Sequence, residues 1–126
     1  MAVTTTVLKL TQVHGVVKVR GTGSATIALA TDLKKSSETQ SSPRVNIRTL
    51  HWALSVGSTA TVTRNSQVLY YLSGSGKMEF MGWSDNEENG SDIVVDFSSG
   101  TGAVVLELAK VSGYGSQQHQ NQGDLG

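Results

Sequence analysis

The stretch RVNIRTLHWALSV, residues 44–56, alternates apolar and polar side chains but slips phase once. Val45 and Ile47 are apolar at odd positions, whereas Leu50, Trp52, Leu54 and Val56 are apolar at even ones. Side chains alternate between the faces of a strand with period two. A single slip would therefore turn half of the strand inside out unless one extra residue absorbs it. The pattern predicts a β-bulge near Arg48–Thr49, or a bend at which the strand passes from one sheet to another. Either device belongs to sheets that fold over a shared core.

Outward from this stretch the period of two continues, and no helical stripe interrupts it. Val13, Val17 and Val19 share a face, with His14, Lys18 and Arg20 opposite, and Ala25, Ile27 and Leu29 repeat the pattern. Thr59–Thr63 and Gln67–Leu72 flank a turn at Arg64–Ser66. SGSG (73–76) leads into Lys77–Met81, and Ile93, Val95 and Phe97 precede a turn at SSGTG (98–102). Val104, Leu106 and Leu108 then face one way and Glu107 the other. Asn89-Gly90 is a tight-turn pair within the acidic loop SDNEENGS (84–91). Thr31–Pro43 is polar and aperiodic, and reads as a long surface loop suited to partner contact. Eight or nine short strands in one domain are expected. The fold class is all-β, a single-domain antiparallel β-sandwich that could take a jelly-roll-like form. It should occupy residues 1–111, with a Gln/Gly-rich flexible C-terminal tail over 112–126.

Composition agrees. The chain has 126 residues, 14 glycines, one proline and no cysteine, with a hydrophobic share of 37%. One domain is the natural count. Disulfides, thiol nucleophiles and thiolate metal sites are excluded by the missing cysteine. The low apolar share fits either polar outer sheet faces or burial against other subunits. No basic start followed by a long apolar run opens the chain, and no segment has the apolar length of a membrane helix. Net charge is zero, but its sign is segregated along the sequence. Residues 1–50 carry seven basic and two acidic side chains, whereas residues 51–126 carry three basic and eight acidic ones. Such asymmetry can steer one copy's front onto another's back, provided the fold does not intermix the two halves.

Catalytic and metal constellations are sparse. His14, His51 and His119 lie in separate segments without ligand spacing. GSGK (74–77) lacks the first glycine and the Ser/Thr of a phosphate loop, since Tyr71 and Met78 stand there, and its glycines, like those of Gly21-Thr22-Gly23, read as turn glycines. Asp85, Glu87, Asn89 and Asp96 with Gly90 have the spacing of a calcium loop, but polar Asp92 and short Asp96 break the pattern, and Ile93–Phe97 reads as a strand. Glu87 and Glu88 on an exposed turn have nothing to separate their proton affinities for glycoside hydrolysis. Trp52 reads as core. Trp83, beside the acidic turn, is the candidate contact aromatic, and Lys34 and Lys35 in the long loop are the candidate contact cations. The basic residues are not interleaved with aromatics, so nucleic acid is not an expected partner. No cofactor is expected.

From Leu50 onward the run of Trp52, ATVTRNSQVLYYL (60–72), MEF (78–80), GW (82–83), DIVVDF (92–97) and GTGAVVLELAKVSGY (100–114) resembles small virion structural proteins of tailed bacteriophages of the marine and cyanobacterial type. The resemblance covers about half of the chain and carries no catalytic residue. It implies a non-enzymatic capsid decoration, or cement, protein on the virion surface, assembled in the host cytoplasm. Its partners would be the major capsid protein or other virion proteins, with self-association and without nucleic acid or membrane. A neck, tail or fibre-associated role is the alternative within that class. A carbohydrate-binding sandwich module, with Trp83, Tyr70 or Tyr71 as sugar platform, is the alternative outside it.

Overall fold

The computed structural model describes residues 3–11, 13–34, 39–79 and 84–115. Among them the chain forms seven strands and no helix: β1 (Thr4–Leu10), β2 (His14–Ile27), β3 (Thr39–Leu54), β4 (Thr59–Arg64), β5 (Gln67–Ser73), β6 (Ser75–Glu79) and β7 (Ile93–Gly115). Every pairing is antiparallel.

The longest strand, β7, is the spine. Its C-terminal half pairs with β3 and with the start of β2, giving the order β1-β2-β7-β3-β6. Its N-terminal half pairs with β4 and with the end of β2, and β5 adds to β4. The strands were expected to be short, with turns at Gly21-Thr22-Gly23 and at 98–102. Instead both glycine segments lie inside long strands and face each other. Gly21 pairs with Gly102 but Gly23 pairs with Phe97, so β7 takes five steps where β2 takes two. Gly21, Gly23 and Gly100 have φ of 123°, 105° and 88°, a region in which other residues are strained. Glycines opposed across a ladder bend both strands together without reversing either. The bend is tied down by Thr101, whose Oγ1 donates to the Gly21 carbonyl at 2.8 Å.

The bend folds the sheet over one core. Val17, Val19, Val45, Ile47, Leu50, Val104, Leu106 and Leu108 come from the first layer. Ile27, Ala60, Val62, Leu72, Ile93, Val95 and Phe97 come from the second. Fully burying each large aliphatic among them stabilises the fold by about 1.5–3 kcal/mol. The all-β antiparallel sandwich is therefore what the chain adopts.

The phase slip in residues 44–56 is a bulge where the alternation placed it. Ile47 pairs with Leu108 but Thr49 pairs with Glu107, so β3 holds one extra residue at Arg48. The turn at Asn65-Ser66 has both residues left-handed, with φ of 51° and 62°, as a two-residue hairpin of matching twist requires. In the acidic loop Asn89-Gly90 is the centre of a turn, as expected, closed by Ser91 N donating to the Glu88 carbonyl at 3.0 Å, and the left-handed residue is Glu88, with φ of 51°. The long loop is shorter than expected at both ends. Leu33 is fully buried against Gly15, and Thr39–Pro43 already belongs to β3, with Pro43 in an irregular stretch where a missing N–H costs no ladder bond. The domain boundary also moves: β7 runs on through Gly115, pairing Tyr114 with Gln40, so Ser112–Gly115 is strand and not tail. The rest of the expected tail, 116–126, lies outside the described residues.

Candidate interaction faces

Two outer sheet faces and one acidic loop gather the polar side chains. Residues paired directly across antiparallel strands share a face, so the register assigns the first face row by row. Lys77, His51, Val105, Lys18 and Thr6 form one row across β6, β3, β7, β2 and β1. Ser75, Ala53, Ala103, Arg20 and Thr4 form the next, and Glu79, Thr49, Glu107, Val16 and Lys9 the one on the other side. The bulge turns Arg48 and Thr49 outward together. Arg48 Nη1 lies 3.0 Å from His14 Nε2, and Thr49 Oγ1 donates to Glu107 Oε1 at 3.0 Å. Five cations (Lys9, Lys18, Arg20, Arg48, Lys77) thus share the face with two carboxylates. One of these, Glu79, lies 3.4 Å from Lys77. Small residues at Ala53, Ala103 and Gly76 leave a dish of about 340 Å³ among them. The basic character of residues 1–50 therefore survives folding as a net-positive face about five strands, or roughly 20 Å, wide.

Trp52, expected in the core, packs against it but is only half-buried. Its indole lies over Gly76, where an added Cβ would come within 2.8 Å of the ring, and its Nε1–H donates to the Ser73 carbonyl at 3.0 Å. Lys34 is half-buried and follows Leu33, so the 28–34 turn holds it near the start of β2. The other two contact candidates, Lys35 and Trp83, lie outside the described residues.

The acidic loop is a structural latch. Asp85 pairs with Ile47 through two main-chain hydrogen bonds of 2.8 and 3.0 Å. Its side chain accepts from Tyr70 Oη and, at 2.8 Å, from Glu87 N. Glu88 accepts from Asn65, and Asp92 from Leu29 N, each at 2.9 Å. Of the oxygens that share calcium-loop spacing, those of Asp85 accept from Tyr70 and Glu87 N, that of Asn89 accepts from Arg44 Nη1 at 3.2 Å, and Asp96 sits out on the β7 ladder. Among the described residues no three His, Cys, Asp or Glu side chains are grouped to hold a metal. Burial first, and the hydrogen bond to Asp85 second, push the Tyr70 phenol well above its ordinary value of 10.0.

Sequence reading placed Arg64 in a turn, yet it is fully buried. Its Nη1 donates to the Val45 carbonyl at 2.6 Å, its Nη2 to Asn89 and Ser91 at 3.0 and 2.7 Å, and its Nε to Ser91 at 3.0 Å. One guanidinium thereby binds β4, β3 and the acidic loop together, using the fork of donors that lysine lacks. The available sequence signal was parity: Arg64 continues the inward positions of Ala60 and Val62.

The second outer face is uncharged apart from Asp96. Ser24, Asp96, Thr61 and Tyr71 form a row across β2, β7, β4 and β5, with Ser99, Thr59 and Ser73 beside it. No protein-family model, curated protein or solved structure matches the chain.

Proposed function

We propose that this chain is a non-enzymatic virion structural protein, a capsid decoration protein that docks by its basic sheet face over junctions between major capsid subunits. The observation that carries the reading is that face: broad and shallow, five strands wide, with five cations from four of them. A surface of this form suits an extended protein contact better than enclosure of a small substrate. Glu79 and Glu107 stand in the same row as Lys9, and a mixed pattern of this kind suits a protein surface with both signs rather than a polyphosphate. The resemblance of residues 50–114 to small phage virion proteins supports the same reading. Each contact is weak, and repetition over a shell raises the effective concentration of every neighbour. Strand addition at the free edge of β1 is less favoured, because the ladder slips at Leu8 and Lys9 follows.

Mass spectrometry of purified particles tests the proposal through copy number relative to the major capsid protein. The reading expects on the order of hundreds of copies, since a decoration site repeats with the shell lattice. A count of about a dozen or fewer would place the protein at a neck or tail of low rotational symmetry instead. Absence from purified particles would overturn the virion reading. Lys18→Glu with Arg20→Glu should lower occupancy, and occupancy of the natural protein should fall with salt, because exposed charges are screened over about 8 Å at physiological ionic strength.

A further inference from the structure

We propose that the outer face of the second layer binds an uncharged linear saccharide, with Tyr71 as the platform for one ring. This goes beyond the virion reading and does not depend on it, since the face lies on the opposite side of the sandwich from the basic one.

Tyr70 and Tyr71 are adjacent in sequence and opposite in circumstance. Tyr70 is half-buried, and its hydroxyl is committed to Asp85. Tyr71 stands 80% exposed. It lines a cup of about 380 Å³ together with Thr61, with which it pairs, with the paired Thr59 and Ser73, and with the Ala60–Leu72 pair between them. An aromatic ring flanked by three hydroxyl side chains matches the two-sided character of a pyranose, which offers C–H groups to a π face and hydroxyls to donors and acceptors at its rim.

The row continues past the cup. Thr61 pairs with Tyr71 on one side and with Asp96 on the other, and Asp96 pairs with Ser24. From β5 to β7 is two strand spacings, about 10 Å. That is roughly the reach of a disaccharide lying across the strands, so the ring following the one on Tyr71 meets the Asp96 carboxylate, a strong acceptor for paired sugar hydroxyls. The same carboxylate sets the ligand class. A sulfated or uronic saccharide would place like charge against Asp96 with no cation in its row, so the ligand is uncharged.

The purified chain, labelled with nitrogen-15, is titrated with cellobiose, lactose and N,N′-diacetylchitobiose, and with a sulfated heparin disaccharide as the anionic control. At least one neutral disaccharide should shift the amide signals of Thr59–Thr61, Tyr71–Ser73 and Asp96, with affinity of about millimolar order. Tyr71→Ala should weaken binding about tenfold or more, and Tyr71→Trp should preserve it. Because Tyr71 is exposed, the variant spectrum away from this face should stay unchanged, which separates lost binding from lost fold. The proposal is overturned if no neutral disaccharide moves these signals at about 50 mM. It is equally overturned if Tyr71→Ala binds as the natural protein does, or if the heparin disaccharide binds this face as well as the neutral ones.

Discussion

Replacing Arg64 with methionine isolates the latch that the buried guanidinium forms. Methionine keeps much of the unbranched stem and removes every donor. Deleting a buried charge can be neutral when its partners leave with it, because the desolvation cost of the charge is recovered. Here the partners are the main-chain carbonyls of Val45, Asn89 and Ser91, which no substitution at position 64 removes. Each carbonyl left without its donor costs about 1–3 kcal/mol when it stays buried. Water reaches the loop side more readily than Val45, so the low end of that range applies to Asn89 and Ser91. The expected total is about 3–5 kcal/mol, a large share of the about 5–15 kcal/mol typical of a whole domain. Arg64→Lys keeps the charge but cannot reach three carbonyls at once, and should cost about half as much. Urea unfolding followed by circular dichroism measures both. Amide exchange should show residues 84–92 losing protection before the β2–β7 ladder does. A loss below about 1 kcal/mol for Arg64→Met, with unchanged urea dependence, would refute the assignment of Arg64 as the tie between the loop and the sheet.

Two further expectations concern the bend and the loop. An alanine Cβ at Gly100 would sit 1.9 Å from Ser58 Oγ on a backbone with φ of 88°. Gly100→Ala should therefore cost about 2 kcal/mol or more, while Gly57→Ala, with φ of 79° but open space around it, should cost only the roughly 1 kcal/mol of left-handed strain. Equal melting-temperature losses for the two would count against close packing at the bend. The Tyr70 phenol keeps its proton more tightly in the folded chain than in the unfolded one. Its contribution is complete below the ordinary phenol value of 10.0 and is lost as pH rises above it. Stability measured from pH 9 to 11 should fall more steeply for the natural protein than for Tyr70→Phe, and parallel profiles would contradict the coupling to Asp85.

The one-dimensional pattern determined the fold class, the bulge at Arg48 and the hairpin turn after Arg64. These are local consequences of period-two alternation and turn chemistry, and they need no knowledge of which strand lies beside which. The pattern misread Gly21–Gly23 and residues 98–102 as chain reversals, because a glycine that turns a strand and a glycine that bends one look alike until the opposing strand is known. Trp52 packs against the core as its parity indicated, but it is only half-buried because the cover over it includes Gly76, a residue without a side chain. Arg64 was read by residue type when its parity pointed inward. Sequence reading supplied members of the two candidate faces, Lys18 and Arg20 opposite the apolar positions and Tyr71 as a sugar platform, but not their assembly. Lys9, Lys18, Arg48 and Lys77 are spread over 69 positions of the chain, and they meet because β7 enters between β2 and β3. Charge segregation along the sequence became segregation in space only through that strand order, which is set by long-range pairing and not by any local preference.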